Sequence, residues 1–513
     1  MNRQRLGLCG AVLAAAVVVY LPTLAYDYVQ DDRAIIVLNP AAHSPAAAIA
    51  AFGQPYWPAP GEAGLYRPVT ILSFAIDWAV SHGSPAVMHL ENALWNGVVG
   101  VLVLLVLVRW LPWPAATAAA VVFVVHPVHV EGVANIVSRN ELLASAGMLG
   151  GVLLARQRRW ALSLCCMLLA MLSKERGVVA GALVLLDDWL RPPEGSRYPL
   201  AFYGGIAAVT LGYFTVWRQI GHSAVSDVAP PFLGASTMGR LAMALPASWR
   251  ATGLLFWPAD LSVDYGPQVI PYRTGLSAPA LLGAVAVAAI PCCALMLRRR
   301  APAVSFAAGA TVAAALPTSN LLFPSGIILA ERDLYLPVLL PAAAIGALCA
   351  WGAGHWPRSR VTSAVVLVVS LLAARTLVRL PAWRDNRAFL LTLVNDHPES
   401  YRGQQAAGAV LSGIGDTAGA HRAYARAESI FAGDPHFNAG YAFFLINQGD
   451  SGTAARLASG ARQVLPRERV ALRVEYLLAR LRGQPEHAAA LADSALRWFP
   501  SEAPWYAQTD NTR

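Results

Sequence analysis

Residues 6–25 read LGLCGAVLAAAVVVYLPTLA, and residues 26–33 that follow them read YDYVQDDR. The first stretch carries no charge for twenty residues, which is the length a helix needs to cross the hydrocarbon core of a bilayer, ~20 residues. Basic Arg3 and Arg5 precede it. A secretory leader has a shorter apolar core and a small-residue cleavage site. Here Ala25 runs directly into Tyr26 and Asp27, so the stretch reads as a first transmembrane helix with an acidic turn at its far end.

Composition extends that reading to most of the chain. Of 513 residues, 56% are hydrophobic and 13% charged, with a mean hydropathy of +0.47. Soluble domains carry about 25% charged residues, so much of this surface faces lipid. The formal net charge is +9. In a soluble protein that would raise the question of nucleic acid. Here the arginines of the first 380 residues sit in short loops beside apolar runs, which points to the bilayer and not to nucleic acid. The six cysteines lie in or beside apolar runs, at no metal-binding spacing. No phosphate-binding loop or dinucleotide fingerprint is present, which removes ATP and NAD as energy sources and leaves a preactivated, membrane-borne substrate.

Further apolar segments cover 87–110, 114–130, 142–155, 160–172, 178–190, 200–217, 278–297, 302–317, 334–351 and 361–378, giving about eleven spans with the first. With the N-terminus in the cytoplasm, the inner loops collect Arg109, Arg156 with Arg158 and Arg159, Arg191 with Arg197, Arg298 to Arg300, and Arg358 with Arg360, as the positive-inside rule requires. That alternation holds if 237–257 lies in the outer interface instead of crossing. The outer segments are then 26–86, 218–276, 318–333 and the polar tail.

The tail repeats. Ala420, Ala454 and Ala488 are each 34 residues apart, the tetratricopeptide (TPR) period, and Pro466 and Pro500 close the second helices of their units. The fold class expected is therefore all-α: a polytopic membrane domain over 1–380, then a TPR-like α-solenoid over 381–513 with about three units.

Charged motifs cluster in the outer segments. Carboxylates at the mouth of a membrane are costly unless used or well solvated, and one of Asp27, Asp31 and Asp32 could act as a general base, since partial desolvation raises its basicity. Arg67, in Tyr66-Arg67-Pro68, can pair with an acid or a phosphate. His126-Pro127-Val128-His129-Val130-Glu131 and Ser138-Arg139-Asn140-Glu141 argue for a polar cavity. His126, His129 and Glu131 could hold a divalent metal or simply frame that cavity, and their spacing is not HExxH. In Ser173-Lys174-Glu175, Lys174 is the only lysine of the chain and could hold a lipid phosphate. Glu331-Arg332-Asp333-Leu334-Tyr335 opens a helix, where an arginine and the helix N-terminus both attract phosphate.

In this order, and followed by the repeat tail, these motifs together with Asn39-Pro40 resemble the transmembrane-and-TPR (TMTC) protein O-mannosyltransferases within the GT-C glycosyltransferase superfamily. The resemblance covers nearly the whole chain. It implies a polyprenyl-phosphate-linked sugar donor and Ser/Thr hydroxyls of exported proteins as acceptors, met by the tail; it fixes no resident cofactor and leaves a divalent metal open. It implies Asp31 or Asp32 as catalytic base, Asp31 being favoured with Asp32 orienting it. Arg332, Arg139 and Lys174 would hold the donor phosphate, while Arg67, His126, His129, Glu131, Glu141, Glu175, Glu331 and Tyr335 would frame the cavity. The Ala- and Arg-rich composition looks bacterial, which places the protein in the inner membrane with the site and tail periplasmic. The competing readings are a transferase that modifies a lipid or envelope glycan, and a lipid-carrier transporter or non-catalytic TPR scaffold.

Overall fold

In the computed structural model, residues 3–58, 64–190, 197–221, 228–271 and 277–511 are described. Arg191 lies outside them. The described chain is all-helical, a polytopic membrane protein followed by a helical C-terminal region. Six helices are long and apolar enough to span a bilayer: Arg3–Ala25, Pro85–Leu107, Leu200–Ile220, Ala278–Leu297, Leu336–His355 and Arg358–Trp383. Four apolar helices are shorter: Pro68–Ser81, Trp113–Val124, Trp160–Ser173 and Pro302–Thr318. The remaining two expected segments form Arg139–Arg156, charged at both ends, and Val179–Trp189, charged at its C-terminal end.

The segment expected over 114–130 stops early, at Val124. Pro127 has no N–H and disfavours helical backbone at His126, so the chain bends and restarts as His129–Ala134. The stretch after Arg67 is a full helix, Pro68–Ser81, with proline at its first turn, where the missing N–H costs nothing. Thr237–Phe256 carries Arg240 and Arg250, packs along Ala278–Leu297, and is not among the six spanning candidates.

The basic loops meet at one end of the bundle. Arg109 and Arg156 converge on Asp187, at 3.8 and 2.7 Å. Arg197 reaches Asp188, Arg298 lies over Trp189 and Arg5 over Trp113. The acidic first loop and the motifs around Lys174 and Arg332 gather elsewhere, around one cavity. Among them Gly177 sits where the chain turns back on Trp160–Ser173. A Cβ there would lie 2.2 Å from the carbonyl carbon of Ala170. Backbone cannot yield as a side chain can, so Gly177→Ala should displace Lys174 and Arg176 and cost about 1–3 kcal/mol, as overpacking does. A thermal unfolding midpoint in detergent equal to wild type would contradict this close approach.

Beyond residue 380 the helices pair in register: Tyr401–Gly413 with Thr417–Ile430, Pro435–Asn447 with Ser451–Val464, and Arg469–Leu481 with Pro485–Trp498. Equivalent positions differ by 34 residues throughout, the period read from the alanines. Gly415, Gly449 and Gly483 hold the turn inside each pair at φ of 85°, 86° and 66°, where a side chain would be strained. Ser400, Asp434 and Glu468 cap the first helix of each pair by accepting backbone N–H groups. The region is fastened to the membrane body. Asp27 N–H donates to Arg384 O at 2.9 Å, Gln30 N–H to Asn386 Oδ1 at 2.8 Å, and Ser400 Oγ–H to Asp264 at 2.7 Å.

Candidate functional site

The loop after the first helix is built to present one acid and bury the next. Gln30 takes a left-handed φ of 52°, uncommon for a residue with a Cβ, and its N–H is held by Asn386. The turn sends Asp31 and Asp32 in different directions. Asp32 is 1% exposed and accepts N–H groups from Val29 at 2.9 Å and Val137 at 2.8 Å. Burial raises its carboxyl to about 7, against the pull of those two donors. It ties the first loop to the segment before Arg139. Asp32→Ala leaves two buried N–H groups without acceptors, each worth about 1–3 kcal/mol. The variant should lower the unfolding midpoint and activity together, and an unchanged midpoint would show that Asp32 is not this staple.

Asp31 faces a cavity of about 1030 Å³. Among the described residues its carboxylate makes no ion pair or hydrogen bond. The surrounding protein displaces water and raises its pKa, while the charges of Arg332 and Arg67 act in the opposite sense. Arg67, Lys174, Glu175, Arg176, Arg332 and Asp333 line the same cavity. Their pairing is close to complete. Arg67 grips Glu175 with Nε and Nη2, at 3.0 and 2.9 Å. Lys174 bonds Glu141 and lies 3.7 Å from Asp333. Arg176 bonds Asp333 and lies 3.5 Å from Glu141. Arg332 bonds Glu131 through its side chain, and its N–H donates to the same carboxylate at 2.9 Å. Burial by itself would raise the Asp333 carboxyl, but the cations Arg176, Lys174 and Arg332 outweigh it and hold the carboxyl below its ordinary range.

Not every residue expected at the site reaches the cavity. Arg139 is 0% exposed and spends its guanidinium on Asn92 at 2.7 Å, on Met88 O at 2.9 Å and on Asp77. It joins Pro68–Ser81 to Pro85–Leu107, a correction to the expectation that it holds phosphate. His126 Nε2 donates to Leu255 O at 3.2 Å and its Nδ1 accepts from Val128 N–H at 3.3 Å, so both ring nitrogens are engaged. His129 bonds Tyr335 O at 3.0 Å and packs against that ring at a tilt of 33°. Tyr335 itself reaches Asn96 at 2.8 Å. These three belong to the core. No group of three His, Cys, Asp or Glu that could hold a metal ion gathers among the described residues, so His126, His129 and Glu131 do not form a metal site here. Glu331 accepts from Ser262 N–H at 2.7 Å and Tyr265 OH at 2.8 Å, and burial raises it to about 7. It fixes the outer loop 258–271 beside Arg332.

Of the other lining residues, Ser138 belongs to a motif read from the sequence, whereas Asn135, Tyr213 and Trp217 were not singled out. Asn135 Oδ1, Ser138 Oγ, Tyr213 OH and Trp217 Nε1 belong to residues that line the cavity and have no hydrogen-bond partner among the described residues. Buried polar atoms normally have partners; these four lie beneath the cavity wall. Arg176 adjoins, and Asp333 lies within, a motif read from the sequence, which is the signal that could have given them a role. Arg402, Asp434 and His436 reach the cavity from the C-terminal region, and no local motif marks them. A second, apolar groove of about 130 Å³ runs between the helices Thr237–Phe256, Ala278–Leu297 and Pro302–Ala315. It shares Leu316, Thr318 and Asp333 with the cavity.

Fold and site together define an all-helical polytopic membrane protein with a charged, polar cavity that meets an apolar groove. Comparison with known proteins narrows the class. The chain is 25% identical over 432 residues to a protein O-mannosyl-transferase of Caenorhabditis elegans, F38B6.6, a match covering 80% of this chain and 61% of that one. It is 26% identical over 520 residues to the protein O-mannosyl-transferase Tmtc1 of Drosophila melanogaster, covering 81% and 60% respectively. The chain thus spans about three fifths of the length of the curated relatives it matches. No protein-family profile matches it. No solved structure matches it either.

Proposed function

We propose that this protein is a membrane glycosyltransferase of the GT-C type, related to the TMTC enzymes, that transfers a sugar from a polyprenyl-phosphate carrier to Ser/Thr hydroxyls of exported proteins. The names of its relatives favour mannose. The observation that carries the reading is the placement of an unpaired acid, Asp31, across the same cavity as Arg332, where an apolar groove also ends. A carrier lipid needs all three surroundings: an apolar channel for its chain, cations for its phosphate and a polar space for its sugar. The transfer region is 1–380, and 381–513 is a TPR-like solenoid. We place the protein in a bacterial inner membrane with its N-terminus cytoplasmic and with the cavity and tail periplasmic, because the arginine loops meet at one end.

The reaction proposed is a single displacement. The acceptor hydroxyl attacks the anomeric carbon from the side opposite the phosphate and inverts it. Its proton passes to Asp31 as the new carbon–oxygen bond forms. The bond from the anomeric carbon to the phosphate oxygen breaks, and its electron pair leaves with the polyprenyl phosphate. Arg332, with Lys174 behind it, neutralises that developing charge, often the largest catalytic contribution. Purified protein given polyprenyl-phosphate-linked radiolabelled mannose and a periplasmic protein extract should label protein. Label reaching only lipid or polysaccharide would overturn the acceptor. Label reaching nothing would overturn the transferase.

A further inference from the structure

We propose that the starts of the first helices of the first two repeat pairs, at Tyr401 and Pro435, form the acceptor wall of the cavity, with Arg402 and His436 seating an extended stretch of acceptor polypeptide opposite Asp31. The inference rests on the transferase reading and names the partner of that site. The cavity that holds Asp31 and Arg332 is closed on one side by Arg402, Asp434 and His436. A smaller cavity of about 100 Å³ beside it runs from Glu131 and Arg332 to Tyr401 and Arg402. Arg332 and Arg402 line both, so chain lying against Arg402 reaches the reacting centre directly.

The two entrances differ in chemistry. The groove that ends at Leu316 and Thr318 is apolar and suits the carrier lipid. The side formed by the C-terminal region is polar. Arg402 and His436 are its accessible donors, with side chains 40% and 44% exposed. An extended polypeptide presents a row of carbonyl oxygens, and guanidinium and imidazolium groups donate to them strongly. Asp434 plays a different part: it accepts from Tyr401 OH at 2.8 Å and caps the helix Pro435–Asn447. The wall is fixed, not hinged. Asp264 of the outer loop takes Ser400 Oγ–H at 2.7 Å and faces Arg402 at 3.4 Å. Glu468 sits 3.3 Å from His436, and its hydrogen bond raises that imidazole above its ordinary range, which favours the donating, charged form. Ser400, Asp434 and Glu468 are equivalent positions of successive units, so the repeat itself delivers this polar edge to the cavity.

The test is steady-state kinetics on the full chain in detergent, with labelled polyprenyl-phosphate mannose and a synthetic serine- and threonine-containing peptide varied in turn. Arg402→Ala and His436→Ala should each raise the peptide KM about tenfold, the scale of one lost charge-assisted hydrogen bond. The donor KM should rise less than twofold. Arg402→Lys should recover part of the loss. Arg467→Ala, which removes a cation over Trp498 away from the cavity, is the control and should match wild type. Equal rises in both KM values, or an unchanged peptide KM in folded variants, would overturn the acceptor wall while leaving the transferase standing. Absence of transfer by wild type would overturn the transferase reading, and the acceptor wall with it.

Discussion

Asp31→Asn should reduce transfer by about 100- to 10,000-fold, the range expected when a general base is lost, with an unfolding midpoint within error of wild type. The two halves of this result belong together. Asp31 makes no ion pair or hydrogen bond among the described residues, so an amide in its place breaks nothing in the fold. Asparagine keeps the shape and loses the ability to take the acceptor's proton. Donor binding should survive, because the cations proposed to meet the phosphate are untouched. The wild-type pH profile carries the same information. The cavity walls displace water from Asp31 and raise its pKa, and the base works only when deprotonated. Activity should therefore be retained above that raised pKa and lost as pH falls through it, higher than a free aspartate would allow. An Asp31→Asn protein with half of wild-type kcat, or a lowered midpoint, would remove Asp31 from the role of base.

Adjacent acids show what the sequence could and could not tell. Asp31 and Asp32 are chemically identical and one residue apart, so composition and spacing leave both open. They are separated by a left-handed turn at Gln30 whose N–H is held by a residue 356 positions later. No local pattern announces that contact. The helices were legible because apolar length is a local property. The tail was legible because its unit repeats every 34 residues. Arginine was harder to read. Arg139 and Arg332 both stand beside acids near membrane depth, yet one is consumed by Asp77, Asn92 and a carbonyl while the other opens on the cavity. The partner decides the role, and the partner is distant in sequence. Arg402 and His436 were invisible for the same reason, since nothing in their own units says that the tail folds back onto the membrane body.

Removing Arg332 should be nearly as damaging as removing Asp31, but with a different signature. Arg332 lines both cavities and its side chain is 31% exposed, so it can meet a phosphate while bonded to Glu131. Loss of a group that stabilises developing charge costs about 100- to 1,000-fold in kcat. Arg332→Ala alone would also leave Glu131 as a buried, uncompensated charge, which destabilises by about 3–5 kcal/mol. Arg332→Gln combined with Glu131→Gln removes both charges and keeps the volumes, so its activity loss can be read apart from stability. The pH profile then separates electrostatics from packing. Arg332 lowers the pKa of Asp31 by favouring its charged form. Without that cation the carboxyl holds its proton to higher pH, and the acid limb of the profile should move upward in the double variant. A purely structural arginine would give a lower kcat with the limb where wild type has it. A limb that moves up together with a fall in kcat that persists at the new optimum would assign both roles, leaving-group stabilisation and tuning of the base, to this one side chain.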